Sequence, residues 1–224
     1  MTSTIRKPSL TAIPLNLIGL TSLAIGLLIF RFYWTNTLTY WSLTWNLFLA
    51  VLPLIISSTI FYKSKSFSSK YFVWPFVALW LLFFPNAPYI LTDLFHLQTR
   101  GGMPKWFDLL MVLSFAWTGL IFGILSLMQV QEVITRFYGQ LTGWITSISS
   151  IILGSFGIYL GRYLRWNSWD VVTSPKPLLK DIYYMAIDPF AHPRTVGMTL
   201  TFSAFLILVY LTFKSLRSQR TFLV

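Results

Sequence analysis

Charged residues divide this chain into six charge-free runs, at 8–30, 32–62, 71–92, 109–131, 137–161 and 195–213. A helix rising about 1.5 Å per residue needs roughly 20 residues to cross a hydrocarbon layer of about 30 Å. Each run meets that length, which predicts membrane-spanning helices over about 14–30, 44–62, 71–92, 107–131, 141–161 and 195–213. Backbone amides in lipid must pair within their own segment, and none of the runs alternates as a barrel strand would. The expected fold class is therefore all-α, a single transmembrane helical bundle with no internal repeat and no second domain. Pro53 predicts a kink in the second helix. Pro85 and Pro88 each remove a backbone donor near the end of the third and predict a break there.

Composition agrees with that reading. Of the 224 residues, 55% are hydrophobic and 10% charged, and the mean hydropathy is +0.67, whereas soluble domains average about 25% charged. Seventeen basic residues against six acids give a net charge of +11. They lie in short loops and tails, without the basic stripe that nucleic acid requires, so the expected partner is the lipid bilayer and nucleic acid is excluded. The absence of cysteine removes disulfides, thiolate chemistry and Cys-based metal sites. The first apolar run lacks a small-residue cleavage signature and reads as a retained helix. Phe32, Tyr33, Trp34, Tyr40, Trp41 and Trp45 follow it and mark a headgroup layer.

Six spans put both termini on one side. Arg6, Lys7, Lys63, Lys65, Lys70, Arg136, Lys214, Arg217 and Arg220 then face one compartment. Arg31, Arg100, Lys105, Arg162, Arg165, Lys176, Lys180 and Arg194 face the other. The first set lies in short loops and tails, where the positive-inside rule acts most strongly. The expectation is a cell (inner or plasma) membrane with both termini cytoplasmic. Parity also places the 93–106 and 162–194 connections on one face, the outer one in this orientation. With Asp108 at the mouth of the fourth helix, they hold five of the six acids and both histidines. Glu132 alone lies opposite, four residues from Arg136, a spacing that suits a helix-surface pair.

The stretch FPNAPYILTDLFHL closes the third span. Asn86, Tyr89, Asp93 and His96 are spaced by three and four and form one polar stripe if helix resumes after Pro88. Asp108 follows GGMPKWF as a first-turn acid that complements the helix dipole. In GIYLGRYLRWNSWD, Gly157 and Gly161 suit close helix packing, and Arg162, Arg165 and Trp169 share a face if the fifth helix runs on. Two arginines on the outer face need counter-charges: Asp93, Asp108 or Asp170, or an anionic headgroup or phosphate. After Pro175 and Pro177 a short interfacial helix is expected, with Leu178, Ile182 and Met185 on one side and Lys176, Lys180 and Asp188 towards the other. His192, in DPFAHPR, reads as a hydrogen-bonded structural residue.

FPNAPYILTDL, the following Pro104, Trp106 and Asp108, and GRYLRWNSWD together resemble the signature stretches of a bacterial multi-pass membrane family catalogued as domain-of-unknown-function family 1361. The resemblance covers roughly helices 2 to 6. It implies a polytopic membrane protein and carries no activity or catalytic residue with it.

Three functions stay open. An interfacial enzyme or binding protein for a lipid-linked or anionic amphiphile would use Asp93 as general base or metal ligand, His96 as its partner and Asp108 as a second carboxylate. Arg162 and Arg165 would clamp an oxyanion, with Asn86, Tyr89, Trp169 and Asp170 completing the ligand site. No metal motif is complete, and the sequence names no cofactor. A small-solute or ion transporter would line its path with the broken third helix, yet the inner halves of the spans lack ionisable groups. A structural or assembly subunit would dock its helices in a homo-oligomer or a larger membrane complex. Convergence of the named residues on one open cavity would favour chemistry. Closed Asp–Arg pairs would favour a purely structural role.

Overall fold

Arg31 does not end the first helix. In the computed structural model, which describes residues 15–64, 70–97 and 102–219, α1 runs over Leu15–Thr35 and carries Arg31 fully buried in its last turns. Arg6, Lys7, Lys65, Arg100 and Arg220 lie outside the described residues. α2 covers Ser42–Lys63 with Pro53 inside it. The third span comes in pieces. α3 is Val73–Phe83, α4 is Asn86–Tyr89, and a 3₁₀ segment continues over Ile90–His96. Pro85 and Pro88 sit where the regular helix gives way, as their missing donors predict.

α5, Lys105–Tyr138, is 34 residues long, about 50 Å at the standard rise. It runs through Glu132 and Arg136, beyond the expected end at 131, because those charges pair on its surface at 3.8 Å. Gly139 (φ +89°) then turns the chain into α6, Gln140–Tyr163. That backbone conformation favours a residue without Cβ. α7 (Asp170–Thr173) and α8 (Pro175–Ile187) follow, and α9 is Pro193–Gln219. No strand occurs among the described residues, and six helices are long and apolar enough to cross a membrane. The chain is thus an all-α, multi-pass membrane protein with six spans.

α5 forms the centre, packed by α1, α2, α4, α6 and the 3₁₀ segment. Its buried face runs from Phe107 to Ile134 and includes Thr118, Ser126 and Gln129. Gln129 accepts hydrogen bonds from Ser57 (2.6 Å) and Ser58 (3.1 Å) of α2, so these polar groups are satisfied helix to helix.

The broken helix is held between two glycine faces. A Cβ on Gly119 of α5 would lie 2.7 Å from the Ala87 carbonyl oxygen, and one on Gly123 3.1 Å from the Ala87 Cβ. On α6, a Cβ would meet the Phe84 ring at 2.8 Å from Gly154, Pro85 at 2.7 Å from Gly157, and the Tyr89 ring at 3.2 Å from Gly161. The expected packing pair Gly157 and Gly161 belongs to this longer ridge. Gly119 and Gly123 form the matching small-xxx-small pair on the other wall.

Candidate functional site

The break leaves carbonyls without their helical partners, and two side chains serve them. Asn86 Nδ2 donates to the Phe83 carbonyl and to Ser168 Oγ, each at 3.0 Å. Ser168 Oγ donates in turn to the Leu82 carbonyl at 2.8 Å. A residue of the 162–194 stretch therefore stitches the C-terminal end of the third span.

Asp93 sits on the next turns and is 8% exposed. Arg162 Nη1 approaches its Oδ1 at 3.2 Å, and Asn46 Nδ2 donates to Oδ2 at 2.8 Å. Arg162 also donates from Nη2 to the Thr92 carbonyl at 2.8 Å and from Nη1 to the Tyr89 hydroxyl at 3.4 Å. Its guanidinium lies over the Tyr89 ring at 5.7 Å and the Phe95 ring at 6.0 Å. Ordinarily a carboxylate and a guanidinium are expensive to desolvate. Mutual pairing, with further hydrogen bonds from Asn46 to the carboxylate and from Arg162 to Thr92 and Tyr89, makes the arrangement tolerable.

Asp108 does not join Asp93. Arg31 takes it up in a second pair, Nε to Oδ1 at 2.7 Å and Nη2 to Oδ2 at 3.3 Å, with both side chains at 0–1% exposure. The guanidinium also donates to Thr37 Oγ1 at 3.2 Å and lies 4.9 Å from the Tyr40 ring centroid. The α1–α2 turn thus folds over the charge. Two-pronged pairing of this kind fixes orientation as well as charge.

Arg165 departs from expectation. α6 stops at Tyr163, and Arg165 adopts φ +62°, so it leaves the face of Arg162 and is exposed. Trp169 packs edge-on against Trp45 at 6.5 Å. Asp170 closes its own turn, accepting from the Asn167 backbone N–H at 2.7 Å and from Thr173 Oγ1 at 3.0 Å. The Asn167 N–H holds its carboxyl below the usual carboxylate range against an opposing desolvation, with smaller help from the Thr173 and Asn167 side chains. His96 ends the 3₁₀ segment, and its side chain lies outside what the structure describes. His192 lies at the start of α9, where its carbonyl accepts from Thr195 and Val196.

Between α2, the broken helix, α6 and α8 lies a cavity of about 270 Å³. Asn46, Asn86, Tyr89, Asn167 and Ser168 supply polar groups, Trp45 and Trp166 supply rings, and Leu49, Leu81, Leu82, Leu178 and Ile182 supply an apolar wall. Trp166 Nε1 donates to Asp181 Oδ2 at 2.9 Å, which fixes that ring against α8. As expected, α8 buries Leu178 and Met185 while Lys176 and Lys180 face outwards. Asn46 and Tyr89 belong both to the cavity and to the Asp93–Arg162 cluster. Sequence reasoning missed Asn46, Ser168 and Arg31. Only Arg31 carried a signal: it is the one charge between residues 8 and 62.

The sequence model of the family described as "Protein of unknown function (DUF1361)" matches residues 45–209. No curated protein and no solved structure matches the chain. The matched region takes in the whole cavity and the Asp93–Arg162 cluster but not α1, so Arg31 lies outside it.

Proposed function

The chain belongs to the DUF1361 family, and on that footing we propose that it binds an amphiphile at one membrane face, the polar head in the cavity at the helix break and the apolar part in lipid. The observation that carries this reading is the composition of the cavity wall. Amides, a phenol and two indoles line one part, and leucines line another. At about 270 Å³ the space is at the lower edge of small-ligand pockets, which run to roughly 300–1,000 Å³. That suits a headgroup better than a whole lipid.

The closed Asp93–Arg162 and Arg31–Asp108 pairs give those acids a structural role, and binding is favoured over catalysis because the groups left facing the cavity are amides, a phenol and indoles. A general base must lie within hydrogen-bond reach of the proton it takes, whereas Asp93 is 8% exposed, held by Arg162 and Asn46, and not part of the cavity wall. Asn46 and Tyr89 would carry the presence of a head group to the Asp93–Arg162 pair. With both termini cytoplasmic, the cavity opens on the outer face of the cell membrane. The transport reading is weaker. Trp80, Phe84, Leu120, Ile124 and Leu127 are buried between the cavity and the opposite end.

The test is to titrate the detergent-purified protein with dioctanoyl glycerol and dioctanoyl phosphatidylglycerol while following tryptophan fluorescence. Saturable quenching is expected in the native chain and should vanish in Leu49→Trp, which fills the cavity. Identical, unsaturable responses of the two proteins would sink the idea.

A further inference from the structure

A second cavity, of about 350 Å³, lies at the opposite end of the bundle between α5, α6 and α9. Its wall includes Gln131, Glu132, Thr135, Trp144, Lys214 and Arg217. Gln131 is 7% exposed. Its Oε1 accepts from both the Tyr210 hydroxyl and Lys214 Nζ, which fixes the amide's orientation. Its Nε2 is then left buried with no hydrogen-bond partner. A buried donor of that kind is costly unless an acceptor reaches it. Lys214 Nζ stands 3.6 Å from the centroid of the Trp144 ring, which holds the ammonium at the cavity wall by a cation–π contact. Glu132 faces Arg217 at 3.5 Å and Arg136 at 3.8 Å, on half-open side chains. Two cations of the cavity wall, Lys214 and Arg217, therefore stand against one acid, Glu132, and the cavity keeps an excess of positive charge beside an orphaned amide donor.

From this we propose a second binding site, for a phosphate oxyanion, with Lys214, Arg217 and the Gln131 amide as its donors. Ammonium, guanidinium and amide N–H groups all donate and none accepts, the pattern that selects an anion. The oxyanion comes from an anionic phospholipid of the adjoining leaflet or from a soluble phosphate. Trp144 beside the lysine suits the headgroup layer. The site shares no residue with the cavity at the helix break, so the two proposals stand or fall separately.

Native mass spectrometry of the full chain released from micelles provides the test, with dioctanoyl phosphatidylglycerol, dioctanoyl phosphatidylcholine and inorganic phosphate as probes. One phosphatidylglycerol should bind at least tenfold more tightly than phosphatidylcholine. Lys214→Gln and Arg217→Gln should each weaken it about tenfold, and Glu132→Gln, which removes the competing acid, should tighten it. Inorganic phosphate binding as well as the lipid, with the same dependence on Lys214, supports a soluble ligand. Phosphate failing where the lipid succeeds supports a lipid one. The proposal is overturned if folded Lys214→Gln and Arg217→Gln bind every probe as the native chain does, or if Glu132→Gln weakens binding. The Glu132 arm keeps the test decisive should either cation variant fail to fold.

Discussion

Arg31 and Asp108 are each almost completely buried and satisfied chiefly by one another. Removing one partner of such a pair strands a charge and typically costs about 3–5 kcal/mol, whereas removing both costs less than the sum. Arg31→Leu and Asp108→Asn should therefore each lower the midpoint of unfolding in sodium dodecyl sulfate strongly, and the double variant should recover much of the loss. A double variant as damaged as the two singles added together would mean that the two side chains act independently. Asp170 makes a gentler case. Its carboxyl titrates lower in the folded turn than in the unfolded chain, chiefly through the Asn167 N–H. The stabilisation is thus complete above the ordinary carboxylate range and is lost as pH falls through the lower folded value. Protection of the amides at 167–173, taken as exchange relative to the intrinsic rate at each pH, should fall on that acid side. Asp170→Asn should exchange faster already at neutral pH and show no acid step.

At the scale of elements, the broken third helix depends on its neighbours more than any other segment. Its carbonyls are served by Asn86 and Ser168, and its bulk fits only because Gly119, Gly154 and Gly157 have no side chains. Gly157→Ala places a methyl 2.7 Å from Pro85, an overpacking that typically costs about 1–3 kcal/mol. Gly197→Ala on α9 meets nothing within 4 Å and should be neutral or slightly stabilising. Unfolding midpoints of the two variants check the contrast. The break itself was legible, because Pro85 and Pro88 act through backbone chemistry local to the sequence. What it packs against was legible only on the α6 side, where Gly157 and Gly161 stood out in a polar stretch. Gly119 and Gly123 lie in a uniformly apolar run. Nothing local distinguishes a glycine that receives another backbone from one that faces lipid, as Gly19 and Gly26 show by meeting nothing within 4 Å. Asp93 was legible as a counter-charge for Arg162, but the partner of Asp108 was missed for a related reason. Arg31 and Asp108 are 77 positions apart, and a charge at the edge of an apolar run reads as a boundary until its partner is known.

At the scale of the molecule, α5 is the hub, with 67% of its most apolar window buried, and α1 and α9 are the rim, at 22% and 17%. The alternating spans give the bundle two chemically different ends. One holds Asp93–Arg162, Arg31–Asp108 and the cavity under α8. The other holds Gln131, Glu132, Lys214 and Arg217. Because the chain has no cysteine, single cysteines report sidedness cleanly. Arg165→Cys and Lys180→Cys are exposed at the first end, and Lys63→Cys and Gln140→Cys at the second. A membrane-impermeant maleimide applied to intact cells should label the first pair and spare the second, which must react only after permeabilisation. The reverse pattern would turn the protein over in the membrane and move the amphiphile site to the cytoplasmic face. Labelling of Arg165→Cys and Lys63→Cys from one side would mean that one of the three intervening spans does not cross. Of these, the broken helix has carbonyls bonded by side chains of distant segments, Leu82 by Ser168 and Thr92 by Arg162. The same experiment in an Asn86→Ala, Ser168→Ala background therefore asks whether those two side chains hold the third span across the bilayer.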